Sequence, residues 1–325
     1  MQKYDPLTFI LDIGGSYEML TRKFGGTFFQ MRMDSSGFRI NPFALPNTFA
    51  NRQFLFSFVQ VLIASDGYRM PSRDVTDLAA RIDELQECPT GARRLSSLAR
   101  MLRKEPREQL HKWVAGGQFG ALFDNADDTL ELSSFQTFEF AGMDEYPSLI
   151  EPLLFYVLYR ITNAVENPAI LAKLKVGVID EAWKFFRQKT TRDYIVAAVK
   201  TWPKHNGSMI IATQSSADLS QDEDLAKIVI ETCHTKYFLT NPGMDRAIYR
   251  ELFGLNETET DRIARLIPKR EMLMKRPDGA NVLTLEVDAK SRWLYATDPM
   301  SVARRRDAIE THGFESGLEL LAKEG

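Results

Sequence analysis

The sequence predicts an α/β protein, a mostly parallel sheet covered by helices, with an all-helical insertion. Short apolar runs recur along the chain and end in acidic or amide side chains at Asp12, Asp180 and Gln214. Continuous runs of this kind are typical of parallel strands buried on both faces, and ligands bind beyond the carboxyl ends of such strands. Between them lies a span with helical periodicity and no alternating strand pattern. We therefore divide the chain into a first core part at 1–45, the helical insertion at 46–130, and a second core part with a C-terminal helix at 131–325.

The first core part begins with a strand from Leu7 to Leu11 that ends in Asp12 and is followed by Gly14-Gly15-Ser16. The pattern G-x-x-x-x-G-K-[ST] of a phosphate loop is absent from residues 1–325. A strand-to-helix turn is therefore favoured over a phosphate cradle for these glycines. A short helix at 17–24 and a strand from Thr27 to Met33 are predicted next.

The insertion is predicted to start with an apolar helix from Phe49 to Ala64. Ser72 is placed to cap the next helix, whose apolar residues recur at i, i+3, i+4 and i+7. Basic residues cluster between 93 and 107. A solvated helix face is favoured for this cluster, and a surface for nucleic acid or an acidic partner is the alternative.

The second core part carries the stretch around which the chain is organised. After a strand at 137–141 and a helix at 152–165 with Pro152 in its first turn, the run Val176 to Ile179 ends in Asp180-Glu181. An acid at this position can hold Mg²⁺ through water, and the next acid can orient or deprotonate an attacking water. The alternative interpretation is a strand end with two solvated acids.

The remaining part of the sequence continues with alternating helices and strands. A helix from Thr190 or Thr191 leads to a strand from Gly207 to Thr213, and Gln214 is placed either to sense a γ-phosphate or to cap the next helix. Beyond it the sequence predicts further elements: a helix at 225–233, a strand at 235–239, two short helices to about Leu266, a hairpin of 271–275 with 281–287 across Pro277-Asp278-Gly279, and a C-terminal helix at 297–309.

Composition excludes several classes of protein. The 41 basic and 44 acidic residues leave a net charge of −3, so no global basic field points to nucleic acid. The two cysteines and four histidines show no metal-binding or redox spacing. No signal peptide is present, and no apolar stretch reaches the roughly 18 residues of a membrane-spanning helix. We therefore expect a cytoplasmic protein that docks on a membrane through partners.

Several motifs occur together in one order along the chain. They are Phe9-Ile10-Leu11-Asp12-Ile13-Gly14-Gly15-Ser16-Tyr17, Ile40-Asn41-Pro42-Phe43, Val178-Ile179-Asp180-Glu181-Ala182-Trp183, Ala212-Thr213-Gln214 and Leu239-Thr240-Asn241-Pro242. With these motifs in this order the chain resembles the motor domain of the large ATPases of type IV secretion and conjugation systems, the CagE/TrbE/VirB family. That family is similar to RecA-like motors of the FtsK/HerA type, so the resemblance implies a RecA-like P-loop NTPase core.

Carried over residue by residue, the resemblance makes Asp180 the Walker B ligand of Mg²⁺ and Glu181 the general base for ATP hydrolysis. Gln214 becomes the polar sensor, and Asp12 and Gly14 lie at the edge of the nucleotide site. The family also implies an arginine acting in trans, and thus a homo-oligomer, either a hexamer or a dimer. The sequence does not choose among the candidates, which are Arg270, assigned to catalysis, and Arg246 and Arg265, assigned to the nucleotide.

The resemblance also implies a departure at the start of the chain. In the family a phosphate loop and its helix precede the strand that starts here at Leu7, and residues 1–5 match the end of that helix. We therefore expect an N-terminally truncated core: a fragment, a mis-started reading frame, or a product that has lost the loop. Without the loop, ATP and Mg²⁺ binding is expected to be weak. Without the strand that precedes the phosphate loop in the family, the sheet is expected to expose a surface that aggregates or accepts a partner strand.

Three functions remain open. The first is the catalytic part of an ATPase that energises conjugative transfer or pilus assembly. The second is a non-hydrolysing scaffold of the secretion apparatus, and the third is a DNA-translocating motor of the FtsK/HerA type. The resemblance implies other secretion components at the inner membrane as partners, and no basic pore loop indicates nucleic acid.

Overall fold

The computed structural model describes residues 2–32, 38–186, 189–214 and 223–324. Contacts between Cα atoms divide the chain into two compact units. The first consists of Met1–Gly15, Gly25–Asp180 and Phe185–Ile210, and the second of Ser16–Phe24, Glu181–Lys184 and Ile211–Gly325. The boundaries at 45 and 130 expected from the sequence stay predictions.

A five-stranded sheet forms the centre of the first unit, which confirms the α/β prediction. Its strands are β1 (Leu7–Asp12), β2 (Thr27–Gln30), β3 (Phe135–Glu139), β4 (Lys175–Ile179) and β5 (Gly207–Ile211), in the order β2-β3-β1-β4-β5. β1 pairs in parallel with both β3 and β4, and β2 pairs in parallel with β3. β1 and β3 are buried along their whole length, as expected of strands covered on both faces. The edge strand β5 alternates between half-buried and exposed residues.

Strand boundaries differ from the sequence prediction by a few residues. β2 ends at Gln30, and Met33, which was predicted to end it, lies outside the described residues. The strand predicted at 137–141 is shifted two residues towards the N-terminus, and β5 ends two residues before Thr213. Strand ends are set by the length of the neighbouring strands, which a local apolar pattern does not contain.

The span 46–130 is described throughout and contains helices and no strand. The predicted helix Phe49–Ala64 is present with those bounds, and Thr48 caps it through its side chain. The other helices of this span are Ser72–Glu87, Leu95–Met101, Lys104–Gln109 and Gly120–Phe123. The prediction that Ser72 is a cap is wrong, because Pro71 occupies the cap position and Ser72 is the first helical residue.

Asn41, from one of the motifs that carry the resemblance, binds two segments of this helical span. Its side chain is buried and donates to the backbone carbonyls of Arg93 and Ala126, each at 3.0 Å. Its Oδ1 atom accepts the backbone N–H of Phe43 at 3.1 Å. The asparagine of this motif therefore has a structural role in the first unit.

The long helix of the first unit is Pro147–Val165. Pro152 was predicted in its first turn and lies inside it, because the helix begins five residues earlier at Pro147. Proline in a helix interior removes one backbone hydrogen bond. The helices Ala182–Phe186 and Lys189–Thr201 follow in the chain.

The second unit contains a three-stranded antiparallel sheet. The predicted hairpin is confirmed as β7 (Glu271–Arg276) and β8 (Gly279–Thr284), with the loop Pro277-Asp278 between them. β6 (Lys236–Phe238) pairs with β7, which the sequence did not predict. Leu273, Phe238 and Ile263 contribute to one hydrophobic core of this unit.

Seven helices accompany this sheet among the described residues of the second unit: Glu18–Lys23, Glu223–Thr232, Arg246–Phe253, Glu257–Arg265, Ala289–Tyr295, Pro299–His312 and Phe314–Lys323. The predicted C-terminal helix at 297–309 thus starts and ends later, and two helices beside it were missed. In the part of the chain that the structure describes, no helix combines the length and apolarity needed to cross a membrane.

Candidate functional site

Three acidic side chains lie at the carboxyl ends of adjacent strands in the first unit. Asp12 ends β1, Glu139 ends β3, and Asp180 directly follows β4. Asp12 lies opposite Glu139 in the parallel register, and the backbone N–H of Asp180 donates to the carbonyl of Leu11 at 3.0 Å. Asp12 and Glu139 are buried, whereas Asp180 is half-buried. The structure therefore brings Asp12 and Asp180 to neighbouring strand ends, as their positions in the sequence suggested.

Glu139 was not among the predicted site residues. Its Oε1 atom accepts the backbone N–H groups of Gly14 at 3.0 Å and of Ala141 at 2.6 Å. Its Oε2 atom accepts the N–H of Gly15. Gly14 and Gly15 have φ of +131° and +72°, a conformation that L side chains rarely adopt, which explains two glycines here. The glycine turn thus binds a carboxylate of its own chain, in agreement with a strand-to-helix turn.

A signal for Glu139 was present in the sequence. Glu139 is an acid flanked by the apolar residues Phe138 and Phe140, in the middle of the strand predicted at 137–141. The criterion of an acid at the carboxyl end of a buried strand did not select it, because the strand ends at Glu139 and not at residue 141.

Glu181 and Gln214, both in the second unit, are joined by a hydrogen bond. The Gln214 amide donates to Oε1 of Glu181, and the indole Nε1–H of Trp183 donates to Oε2 at 2.7 Å. The backbone N–H of Ala182 donates to the carbonyl of Ala212 at 3.0 Å, which holds together the segments that follow β4 and β5. Two predicted site residues are therefore in contact. The alternative role of Gln214 as a helix cap involves residues 215–222, which lie outside the described residues.

Glu181 has an unusual backbone conformation. Its φ is +50°, in the left-handed region that residues other than glycine seldom occupy. Such residues occur more often at functional sites, where surrounding contacts hold them. Here the carbonyl of Glu181 accepts the N–H of Lys184 at 3.0 Å, which closes a tight turn at the start of the helix Ala182–Phe186.

The three candidate arginines lie in the second unit. Arg246, at the start of its helix, forms an ion pair with Asp261 at 2.5 Å. Arg265 and Arg270 are exposed. The assignment of one of these arginines to a site in trans stays a prediction.

The carboxylate of Asp180 is the kind of ligand that Mg²⁺ requires when phosphate oxygens complete the coordination shell of the ion. Mg²⁺ in nucleotide sites binds one or two protein carboxylates together with waters and phosphates, so a single half-buried aspartate such as Asp180 is sufficient. Across the described ranges no group of three or more His, Cys, Asp and Glu side chains forms a metal cage made of protein ligands. The residues thus fit a metal that arrives with a nucleotide.

The parallel sheet with acids at its carboxyl edge defines a class: a RecA-like P-loop NTPase fold. VirB4 of Thermoanaerobacter pseudethanolicus superposes with a TM-score of 0.67 at 17% identity, covering 91% of this chain and 83% of that one. The plasmid coupling protein TrwB, in complex with the non-hydrolysable ATP analogue ADPNP, superposes with a TM-score of 0.53 at 13% identity, covering 87% of this chain and 78% of TrwB. These similarities confirm the predicted fold.

Sequence comparison identifies the family. Residues 106–324 match the TraG P-loop domain, and the chain belongs to this family. The type IV secretion system protein virB4 of Bartonella quintana is 27% identical over 296 residues, which cover 89% of this chain and 37% of that protein. The conjugal transfer protein TrbE of Rhizobium radiobacter is 26% identical over 328 residues, 98% of this chain and 39% of TrbE. The resemblance to type IV secretion ATPases is confirmed, and the chain spans about two fifths of the length of these relatives.

Proposed function

We propose that this chain is the motor region of an ATPase that energises type IV secretion or conjugative transfer. The observation that carries the proposal is the carboxylate of Glu181, which lies two residues beyond the strand ending at Ile179 and is held by the amide of Gln214. The VirB4 and TrbE relatives supply the biological setting, and TrwB, which has been solved with ADPNP and with ADP and Mg²⁺, supports a nucleotide and Mg²⁺ as ligands.

In the proposed mechanism each side chain has one role. Asp180 would hold the Mg²⁺ ion, which when bound would neutralise charge on the phosphates. Glu181 accepts the proton of the attacking water, because a carboxylate can act as a general base and Trp183 and Gln214 hold this one in place through hydrogen bonds. Gln214 reports through its hydrogen bond to Glu181 whether the γ-phosphate is present.

The partners we propose are other components of a type IV secretion system and further copies of this chain. A homo-oligomer, hexamer or dimer, would allow Arg270, Arg246 or Arg265 to reach a neighbouring nucleotide. We also propose a cytoplasmic location at the inner membrane; the names of the same relatives, which refer to secretion and conjugal transfer, support it.

The 325-residue polypeptide by itself is proposed not to hydrolyse ATP. It contains no G-x-x-x-x-G-K-[ST], and the N–H groups of its Gly14-Gly15 turn already donate to Glu139. In P-loop enzymes the backbone N–H groups and the lysine of the loop neutralise the β- and γ-phosphates. The second candidate function is a scaffold that retains the fold without turnover.

The test uses two proteins: the 325-residue polypeptide, and a loop-extended polypeptide in which a G-x-x-x-x-G-K-[ST] segment grafted from a VirB4 relative precedes it. Phosphate release and nucleotide affinity are measured for both. We expect turnover in the loop-extended polypeptide alone. Glu181→Gln should lower it by about 10²- to 10⁴-fold with nucleotide still bound, since a neutral amide cannot accept the proton.

Two further variants complete this test. Asp180→Asn should weaken Mg²⁺-dependent nucleotide binding, because it removes charge at the metal. Glu251→Gln changes an exposed glutamate of the second unit in the same chemical way and should leave turnover unchanged. Robust hydrolysis by the 325-residue polypeptide, or full activity of Glu181→Gln, would refute the mechanism. A loop-extended polypeptide that binds nucleotide without turnover would favour the scaffold.

A further inference from the structure

We propose that Trp183 is a positioning residue that holds the carboxylate of Glu181 through its indole N–H. The inference rests on the proposed role of Glu181 as general base. It adds a role for a tryptophan that the sequence motif contained and to which no chemistry had been assigned.

The contact has a defined direction. The indole Nε1–H of Trp183 lies 2.7 Å from Oε2 of Glu181, and because an indole nitrogen can only donate, the carboxylate must accept. Hydrogen bonds to an ionised acceptor are shorter and stronger than those between neutral groups. Trp183 therefore fixes one oxygen of Glu181, and Gln214 fixes the other.

The backbone is arranged to permit this contact. The positive φ of Glu181 and the bond from the Lys184 N–H to the Glu181 carbonyl turn the chain sharply. The turn brings the side chain of Trp183, two residues further on, back over the carboxylate. Uncommon backbone conformations occur more often at active sites, and here one places a hydrogen-bond donor on the proposed base.

The environment of Trp183 differs from that of the other tryptophans. Trp113, Trp202 and Trp293 are between 0% and 8% exposed, whereas Trp183 is only half-buried. Trp113 donates to a backbone carbonyl, and the buried indole nitrogens of Trp202 and Trp293 have no hydrogen-bond acceptor within the described ranges. Within the described ranges, Trp183 is thus the one tryptophan whose indole N–H donates to a carboxylate, and burial of the side chain does not account for this hydrogen bond.

The expected consequence concerns kcat rather than nucleotide affinity. If the indole N–H is removed, Oε2 of Glu181 loses the hydrogen bond that fixes it, and the carboxylate rotates more freely about the last side-chain torsion. A base displaced by about 1 Å can lower the rate by about 10²-fold. We therefore expect Trp183→Phe, which keeps an aromatic ring and removes the N–H, to lower kcat roughly 10- to 100-fold. KM for ATP should change by less than about twofold, since the lost bond holds the base and not the nucleotide.

The first part of the experiment needs no activity. The 325-residue polypeptide is labelled with ¹⁵N-tryptophan, which yields four indole cross-peaks, and the peak of Trp183 is assigned by its loss in Trp183→Phe. Glu181→Ala should shift the Trp183 peak towards weaker hydrogen bonding and leave that of Trp113 in place. An unmoved Trp183 peak overturns the proposal. If Trp183→Phe does not fold, the other three peaks are assigned by their loss in Trp113→Phe, Trp202→Phe and Trp293→Phe, and the remaining peak is that of Trp183.

The second part measures ATP hydrolysis in the loop-extended polypeptide. Trp293→Phe is the matched control: it removes an indole of the second unit whose nitrogen has no acceptor among the described residues, so kcat should be retained while thermal stability falls. Loss of kcat in Trp183→Phe together with an unchanged KM supports the proposal. A retained kcat in Trp183→Phe, where Glu181→Gln is inactive, overturns the role of Trp183 alone. Full turnover in Glu181→Gln overturns the proposed function and the role of Trp183 with it.

Discussion

Replacing Glu139 by glutamine tests how the glycine turn after β1 is held. The carboxylate receives three backbone N–H groups, two on Oε1 and one on Oε2, and is only 2% exposed. Glutamine offers one acceptor oxygen, so its NH₂ group must face at least one of these donors. The variant loses at least one charge-assisted hydrogen bond and gains a contact between two donors.

The magnitude follows from these contacts. A hydrogen bond to a charged group contributes about 1.5–3 kcal/mol. Gly14 and Gly15 are exposed, so water can replace part of the loss, and we expect about 2 kcal/mol of destabilisation for Glu139→Gln. In a unit of roughly 200 residues this lowers the melting temperature by about 4–8 °C.

Calorimetry or thermal unfolding measures the change in melting temperature, and hydrogen exchange of the peptide containing Gly14-Gly15 measures local opening. Glu145→Gln is the control, since it makes the same chemical change at an exposed position six residues further on. We expect faster exchange in Glu139→Gln and none of these effects in Glu145→Gln. If Glu139→Gln melts within 1 °C of the wild type, on the order of 0.3 kcal/mol, and the turn exchanges at the same rate, the carboxylate does not hold the turn.

Two further predictions concern a half-buried and a buried charged group in the first unit. Burial raises the pKa of Asp128, and the charge of Arg160 partly offsets this rise, so the contribution of Asp128 to the free energy of unfolding is greatest below pH 3.8 and is lost as the pH rises through the folded pKa. Over that rise, urea unfolding should show the wild type losing stability relative to Asp128→Asn. Parallel plots of stability against pH for the two proteins would contradict this. Lys175 is fully buried and its Nζ donates to three backbone carbonyls. Lys175→Met should cost roughly 2–4 kcal/mol in urea unfolding, whereas the exposed Lys200→Met should cost little, and equal effects of the two would refute the role of the three bonds.

Local patterns were sufficient to predict most elements, and the particular errors show where they stop. Phe49–Ala64 and the strand ending at Ile179 were predicted because their apolar residues are contiguous or periodic in sequence. Pro152 was misplaced because its helix begins at another proline, and the pairing of β6 with the hairpin was missed because it joins segments far apart in the chain. The site shows the same division. Asp180, Glu181 and Gln214 were selected from strand ends, whereas Glu139 was not.

The sequence by itself determined the α/β class, the helical character of the span from 46 to 130, and the family, because each depends on composition and on motifs read along the chain. Only the tertiary structure decided which partners those motifs have. Glu139 reaches the turn at Gly14 across 125 residues, and Gln214 reaches Glu181 across 33. Contacts of this kind depend on which strands become neighbours in the sheet and on the directions of side chains at their ends. The order of the strands is determined by burial of the sheet as a whole, so it cannot be predicted from any local stretch of sequence.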